Sequence, residues 1–452
     1  SSALGSYLGA PRVLQAVSRD RILHFLHFFS KGSKKGDEPR RALLLTCAIT
    51  IGVLFWAGNE SGGAALNGVA ALISMFFLYS YGMINLAAFI EDFGGNPSFR
   101  PQFKYFHWST ALLGAICCAL VTFLVNWQVA ILAVLIILFL LWYLKAKRLV
   151  ATFGDARRGF FYRSVRNNLL RLRRMPEDPK NWRPTILVFS GNPMAREDLI
   201  KYAMWIESKR GLVYLANVLL GDFSEFAPRR PGAVQQLTQF CNEKNIGAFP
   251  VVVTAEKLEQ GISMVMQATA IGSIRPNLAV FGWSSIMELR QTYLQELRTA
   301  TNLGMSLVLL ETKEMPNPED PKRIDIWWRG QKNGGLMLLI AYLLSENWEW
   351  DNAKIRVLRV VENEAGKIPA EEGLRELIDL ARVEAEPAVV IDDESFTRVL
   401  HNNSADATCV ILGFEFPEKG KEAEWHANIR SFVDEMPTTI LVNSAGGEGL
   451  FA

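Results

Sequence analysis

Three hydroxyl groups lie inside apolar runs, where they could bind a ligand. Ser1 and Ser2 stand on a predicted helix of small residues, and Tyr81 lies deep in the uncharged run 62–90. A hydroxyl at such a position needs a partner, which is either a neighbouring helix or a ligand in a cavity. The residues alone favour a structural role at all three positions, because small residues such as Ser1 and Ser2 commonly serve close helix packing and the Tyr81 hydroxyl can bond to a neighbouring helix.

Other reactive side chains form no recognisable site. The five cysteines show no CxxC or Cys/His spacing, and His401 and His426 lie on different predicted helices without a carboxylate or cysteine at metal spacing. We therefore expect the cysteines to be reduced structural thiols, which places the second, soluble half of the chain in the cytosol. We expect no bound metal, no cofactor and no catalytic site. An enzyme and a nucleic-acid-binding protein are not expected.

The forty residues 105–144 carry no charge except on His107. A single helix of that length would be about 60 Å long, twice the ~30 Å hydrocarbon core of a bilayer. The run is therefore predicted to be two membrane spans that divide at Asn126-Trp127. A buried hairpin of a soluble protein is the alternative, but the second arm is apolar on all sides.

The first third of the chain, residues 1–148, is predicted to be an all-α membrane domain. It comprises the end of one helix and four spans, at about 42–57, 65–90, 108–125 and 128–144. Lys and Arg occupy the loops 18–41 and 91–104 and the segment after residue 144, whereas the alternate loops have none. The positive-inside rule places the basic loops and the soluble half in the cytoplasm. Since the chain begins Ser-Ser, we expect it to be the C-terminal part of a longer polypeptide.

Residues 149–181 are predicted to connect the two halves. The segment Gly154–Arg174 has an apolar face surrounded by arginines, which is typical of an amphipathic helix. It is either an interfacial helix on anionic lipid or a linker that packs on the soluble domain.

The soluble half contains two similar blocks, 182–312 and 322–452. In each block five short apolar runs alternate with amphipathic helices, which predicts a parallel sheet covered on both faces, a doubly wound α/β unit. The first turns, SGNPMARED and RGQKNGGLM, contain neither GxGxxG nor GxxxxGK[ST]. Nucleotide binding is therefore not expected.

Several segments, in order and at family spacing, resemble the cation-chloride cotransporter family of the amino-acid–polyamine–organocation superfamily. They are SSALGSYLGAPRVLQAVSRD, DEPRRALLLT, ISMFFLYSYGMINLAAF, NPSFRPQFKYFHWSTALLGAICC, NWRPTILVFSG and IDIWWRGQKNGGLMLLIAYLL. The resemblance implies that the chain starts in the eighth of twelve helices of a prokaryotic-type member. It implies a cytoplasmic regulatory domain of two tandem universal-stress-protein-like units, which makes a homodimer.

The resemblance also assigns ligands. It implies that Ser1 and Ser2 bind sodium and that Tyr81 helps to hold chloride, whereas the family's potassium site lies on earlier helices. The chain is then the C-terminal half of a symporter that couples sodium and/or potassium to chloride across the cell membrane. An amino-acid permease of the same superfamily and a small-molecule-sensing regulatory module are the alternatives.

Overall fold

The computed structural model describes residues 2–19, 24–33, 36–58, 64–95, 99, 103, 106–125, 127–146, 156–283, 290–392 and 394–448. The chain divides into two compact units, Ser1–Asn168 and Leu169–Ala452, and each is described by itself. Three parts of the predictions lie outside the described residues: Ser1, Asn126, and residues 59–63 of the predicted loop 58–63.

The first unit is helical, as predicted. Its elements are α1 (Ser2–Arg19), a 3₁₀ turn (His24–Phe29), α2 (Arg40–Gly58), α3 (Ala64–Phe93), α4 (Trp108–Val125), α5 (Trp127–Ala146) and α6 (Ala156–Leu172), which continues into the second unit. Helices α2 to α5 follow from long apolar runs that are rich in Leu and Ala, two residues with good helix propensity.

Two segments of the described residues are helical, long and apolar enough to cross a bilayer, Ile73–Phe93 and Trp108–Val125. Their side chains are mostly exposed, unlike those of a helix in the core of a soluble protein. The prediction that α2 and α5 also span stays a prediction.

The second unit is an α/β domain, which confirms the predicted class. Its strands are β1 (Thr185–Phe189), β2 (Leu212–Leu220), β3 (Ala248–Ala255), β4 (Leu278–Gly282), β5 (Ser306–Glu311), β6 (Arg323–Trp327), β7 (Lys354–Val361), β8 (Glu386–Ile391), β9 (Cys409–Gly413) and β10 (Thr438–Asn443). Its helices are α7 (Glu197–Glu207), α8 (Phe223–Phe226), α9 (Arg230–Glu243), α10 (Leu258–Ala268), α11 (Arg290–Asn302), α12 (Gln331–Ser345), α13 (Glu364–Ala381), α14 (Phe396–Ser404) and α15 (Glu422–Val433). Short 3₁₀ turns occur at Pro179–Asn181, Ala227–Arg229 and Trp348–Trp350.

The ten strands form one sheet in the order β3-β2-β1-β4-β5-β10-β9-β6-β7-β8. Each half of the sheet repeats the same doubly wound order, and all pairs are parallel except β5 with β10. The antiparallel pair, with Leu309 opposite Leu441, therefore fuses the two repeats edge to edge.

The core has two layers because strand side chains alternate between the faces of the sheet. Ile186 and Val188 pack on one face with α7, α9, α12 and α13. Leu187 and Phe189 pack on the other face with α10, α11, α14 and α15. Both layers extend across the β5–β10 junction, so the two repeats share one continuous core.

Candidate ion-binding site

Tyr81 lies in the middle of α3 and its side chain is 57% exposed. Its ring stacks on that of Phe77, one turn earlier, with centroids 6.2 Å apart and planes 18° apart. The side chain of Asn85 donates a hydrogen bond to the Tyr81 carbonyl (3.0 Å). Within the part of the chain that the structure describes, the phenolic hydroxyl makes no hydrogen bond, so it is available to a ligand.

The adjacent residues of α3 fix the helix against α4. A Cβ at Gly82 would lie 3.2 Å from Cys118 Cβ, and a Cβ at Gly114 would lie 3.1 Å from the amide carbon of Asn85. Small residues at both points let the two backbones approach closely, which is how helices associate in lipid. The segment of α3 that presents Tyr81 is thereby held against α4 at two positions that directly follow the residue, 82 and 85.

Tyr79 uses its hydroxyl differently. It is half-buried and donates to the carbonyl of Ala130 on α5 (3.2 Å), and Ala130 is itself buried. The sequence left open whether a hydroxyl in this run bonds to a neighbouring helix or to a ligand. Tyr79 bonds to a neighbouring helix, whereas Tyr81 is exposed.

Of the two serines predicted to bind sodium, Ser2 is the first residue of α1, and Ser1 is outside the described residues. At the other end of α1, the Arg19 guanidinium donates to both Asp37 carboxylate oxygens (2.5 and 2.6 Å) and to the Ser30 carbonyl (3.1 Å). The structure thus describes how α1 is anchored, and the sodium assignment stays a prediction.

In the second unit, the carboxyl ends of the strands are the position where doubly wound folds bind ligands. In the second repeat this position is filled by the protein itself. A Cβ at Gly334 would lie 2.1 Å from the Trp328 ring, and the Asn333 amide donates to the Phe414 carbonyl (3.1 Å) and accepts from the backbone N–H of Ser444 (2.9 Å).

In the first repeat, residues 284–289, which follow β4, lie outside the described residues. The Tyr293 hydroxyl donates to the carbonyl of Gly282, the last residue of β4 (3.0 Å), and burial raises the pKa of this phenol.

Histidine and acidic side chains form no metal centre in the described ranges, where groups of three or more His, Cys, Asp or Glu at ligand distance are absent. His426 is buried and stacks on Trp283, with centroids 5.0 Å apart and planes 20° apart. It is a buried residue of α15, packed against the residue that follows β4.

Comparison with known families identifies the chain. The family model described as amino acid permease matches residues 1–188, and the one described as solute carrier family 12 matches residues 196–317 and 313–435. The second model thus matches the tail twice, once for each repeat, and covers more than half of the chain. The chain belongs to solute carrier family 12, the cation-chloride cotransporters, so it is part of a membrane transporter and not an enzyme.

Solved structures with likeness to the chain include the cytoplasmic domain of a prokaryotic cation chloride cotransporter (18% identity, 60% of this chain and 98% of that chain, TM-score 0.45). Others are a functionally unknown protein from Pseudomonas aeruginosa (10% identity, 60% and 95% coverage, TM-score 0.37) and a protein from the same species described as a universal stress protein (13% identity, 61% and 97% coverage, TM-score 0.37).

The sequence analysis singled out Tyr81 as a candidate ligand, which stays a prediction, and did not identify the glycines that pack around it. Gly82 and Gly114 form close contacts between α3 and α4. Small residues inside apolar runs are the signal that points to such contacts, but glycine is too frequent in membrane helices for one sequence to show which glycines are involved.

Proposed function

We propose that this chain is the C-terminal half of a secondary active symporter that couples sodium and/or potassium to chloride. The observation that carries the proposal is the membership of solute carrier family 12, combined with an exposed Tyr81 hydroxyl on a helix of membrane-spanning character. A phenolic O–H is a neutral donor, and a neutral donor suits an anion that must bind and then leave.

In this proposal the serines supply the cation ligands. Sodium is a hard ion that prefers oxygen, and Ser1 and Ser2, the first two residues of the sequence, carry neutral hydroxyls. Ions would bind near the middle of the membrane while one group of helices rocks against the other. The transport cycle then involves no covalent chemistry.

An amino-acid permease is the second candidate, because the amino acid permease model matches residues 1–188. The double match of the tail to solute carrier family 12 favours the cotransporter. The two candidates differ in substrate, and a direct measurement separates them.

The test is uptake into proteoliposomes that contain the whole protein. Tracer chloride should enter and should respond to sodium or potassium, and a mixture of the twenty amino acids at millimolar concentration should not compete. Uptake of labelled amino acids without cation-dependent chloride uptake would support the permease and overturn the symporter.

The tail is placed in the cytoplasm in this proposal, because all the basic loops lie on the same side of the predicted spans. In intact cells, a cysteine introduced at Asn59 should react with an impermeant reagent, whereas one at Gly366 should react only after permeabilisation. Reaction at position 366 from outside would reverse the orientation. The measurement needs a background in which reactive native cysteines are replaced.

A further inference from the structure

The C-terminal end of α3 is in contact with α6, seventy residues later in the chain. This α3–α6 junction consists of Phe93 and Gly94 on one side and Gly159, Phe160 and Arg163 on the other. All five residues lie in the first unit, whereas α6 runs on to Leu172, four residues into the second.

Two glycines allow the contact. A Cβ at Gly159 would lie 3.3 Å from the Gly94 carbonyl oxygen, and a Cβ at Gly94 would lie 3.2 Å from the backbone nitrogen of Phe160. Gly94 and the left-handed Gly95 (φ 65°) also end α3, since their N–H groups return to the carbonyls of Ile90 and Asp92 (both 2.9 Å). The helix therefore stops where α6 crosses it.

Arg163 closes the carbonyl end of α3. Its Nη1 donates to the Phe93 carbonyl and lies 3.4 Å from that of Asp92, and its guanidinium is 4.9 Å from the centre of the Phe93 ring. The last carbonyls of a helix lack partners within the helix and carry the negative end of its dipole, so a cation is favourable there. Arg163 satisfies both requirements from a different helix.

Aromatic rings complete the junction. Phe93 stacks on Phe160 (centroids 5.8 Å, planes 28° apart) and meets Trp108, the first residue of α4, edge to face (5.3 Å, 70°). The ends of α3 and α4 and the first turns of α6 therefore pack as one cluster. A shift of α6 must move the end of α3 or break these contacts.

Tyr81 lies twelve residues before Phe93 on the same helix, about 18 Å along its axis. We propose that the α3–α6 junction couples the connecting helix to the chloride site, with Arg163 as the positioning residue that fixes the register of α3. The proposal rests on the proposed role of Tyr81 in chloride binding. In this proposal, α6 sets chloride affinity by holding the end of α3, the helix that carries Tyr81.

The test compares Arg163→Ala and Arg163→Lys with Arg171→Ala in the whole protein. Arg171 is an exposed arginine on the same helix, away from the junction, and serves as the matched control. In proteoliposomes, Arg163→Ala should raise the chloride concentration for half-maximal uptake about three- to tenfold. Arg163→Lys should raise this chloride concentration less than Arg163→Ala does, because lysine keeps the charge but lacks the planar fork of arginine. Arg171→Ala should match the wild type.

A merely structural role would lower the amount of folded protein and the maximal rate, and would leave the half-saturating chloride concentration unchanged. That result would overturn the proposal.

Hydrogen exchange supplies a readout that does not depend on transport. In Arg163→Ala, amide exchange should accelerate at residues 88–95 and also at residues 78–84 around Tyr81, and Arg171→Ala should change neither segment. Acceleration confined to residues 88–95 would show that the junction does not reach Tyr81 and would overturn the coupling. If the wild type moved no chloride, the proposed function would fail, and these exchange data alone would decide whether the junction is coupled to residue 81.

Discussion

Arg356 on β7 makes a two-pronged ion pair with Asp325 on β6, with Nε to Oδ1 at 2.9 Å and Nη2 to Oδ2 at 2.7 Å. Asp325 is completely buried, and the Ser404 hydroxyl, itself bonded to the Trp327 indole, donates to it as well (2.7 Å). The pair links two strands of the second repeat to the end of α14.

Replacing Asp325 by alanine should therefore leave the half-buried Arg356 without its main partner. Breaking a buried pair in this way costs about 3–5 kcal/mol, to be measured by chemical denaturation of residues 175–452. Asp406→Ala is the matched control, because that carboxylate is 79% exposed although it also pairs with an arginine, Arg323. It should cost less than about 1 kcal/mol, and equal losses for the two variants would contradict the structural role of Asp325.

Glu296 on α11 is buried, and its Oε1 has no hydrogen-bond partner among the described residues. Burial, with a smaller contribution from the charge of Glu259 on α10, raises its pKa to about 7. Since the fold binds this proton more tightly than the unfolded chain does, the stability that Glu296 contributes is present below about pH 4.5 and is lost as pH rises to 7.

Glu296→Gln should remove that pH dependence. The variant should be more stable than the wild type at pH 8, by an amount on the order of 1 to 3 kcal/mol, and nearly equal to it at pH 4.5. Denaturation of residues 175–452 across this pH range measures the difference. Glu256→Gln, at an exposed carboxylate, should leave the wild-type profile intact, and a parallel profile for Glu296→Gln would refute the assignment.

The alternation of apolar runs with amphipathic helices predicted the α/β class and five strands in each half of the tail, because burial on both faces of a sheet imposes that pattern. The antiparallel pairing of Leu309 with Leu441 was not predictable in this way. Periodicity shows that a strand is buried, but it does not show which two edge strands meet.

For the candidate site, too, single residues could be predicted from the sequence, but contacts between distant residues could not. Tyr81 was singled out because a hydroxyl in an apolar run is unusual, and the family resemblance implied its ligand role. The junction of Arg163 with Phe93 instead joins residues seventy positions apart. Arg163 is one of several arginines on an amphipathic helix, and only the packing of α6 distinguishes it from the others.

The tail should self-associate. Residues 175–452, expressed without the membrane half, should be soluble and folded without lipid, since the sheet is covered by helices on both faces. Closed two-fold pairing is the commonest oligomer and is what the family resemblance implies. Sedimentation should show a dimer at micromolar concentration, and a monomer throughout the high micromolar range would assign dimerisation to the membrane helices or remove it.

Tyr81 and Tyr79 offer a matched pair of substitutions. Tyr81→Phe should raise the half-saturating chloride concentration about tenfold, the equivalent of one lost hydrogen bond of about 1.4 kcal/mol to an anion. Tyr79→Phe removes the bond to the Ala130 carbonyl and should lower thermal stability with little effect on chloride affinity. Chloride uptake measured over a range of chloride concentrations gives both values. If Tyr79→Phe weakened chloride affinity and Tyr81→Phe did not, the chloride ligand would be Tyr79.

The most direct measurement is uphill chloride movement in proteoliposomes that contain the whole protein, with equal chloride on both sides and the membrane potential held near zero. An inward sodium or potassium gradient should drive chloride above its equilibrium level, and an inward choline gradient should not. In the double variant Ser1→Ala, Ser2→Ala, accumulation driven by sodium should disappear, because the two cation ligands are lost. Chloride that only equilibrates, whichever cation gradient is imposed, would contradict coupled symport.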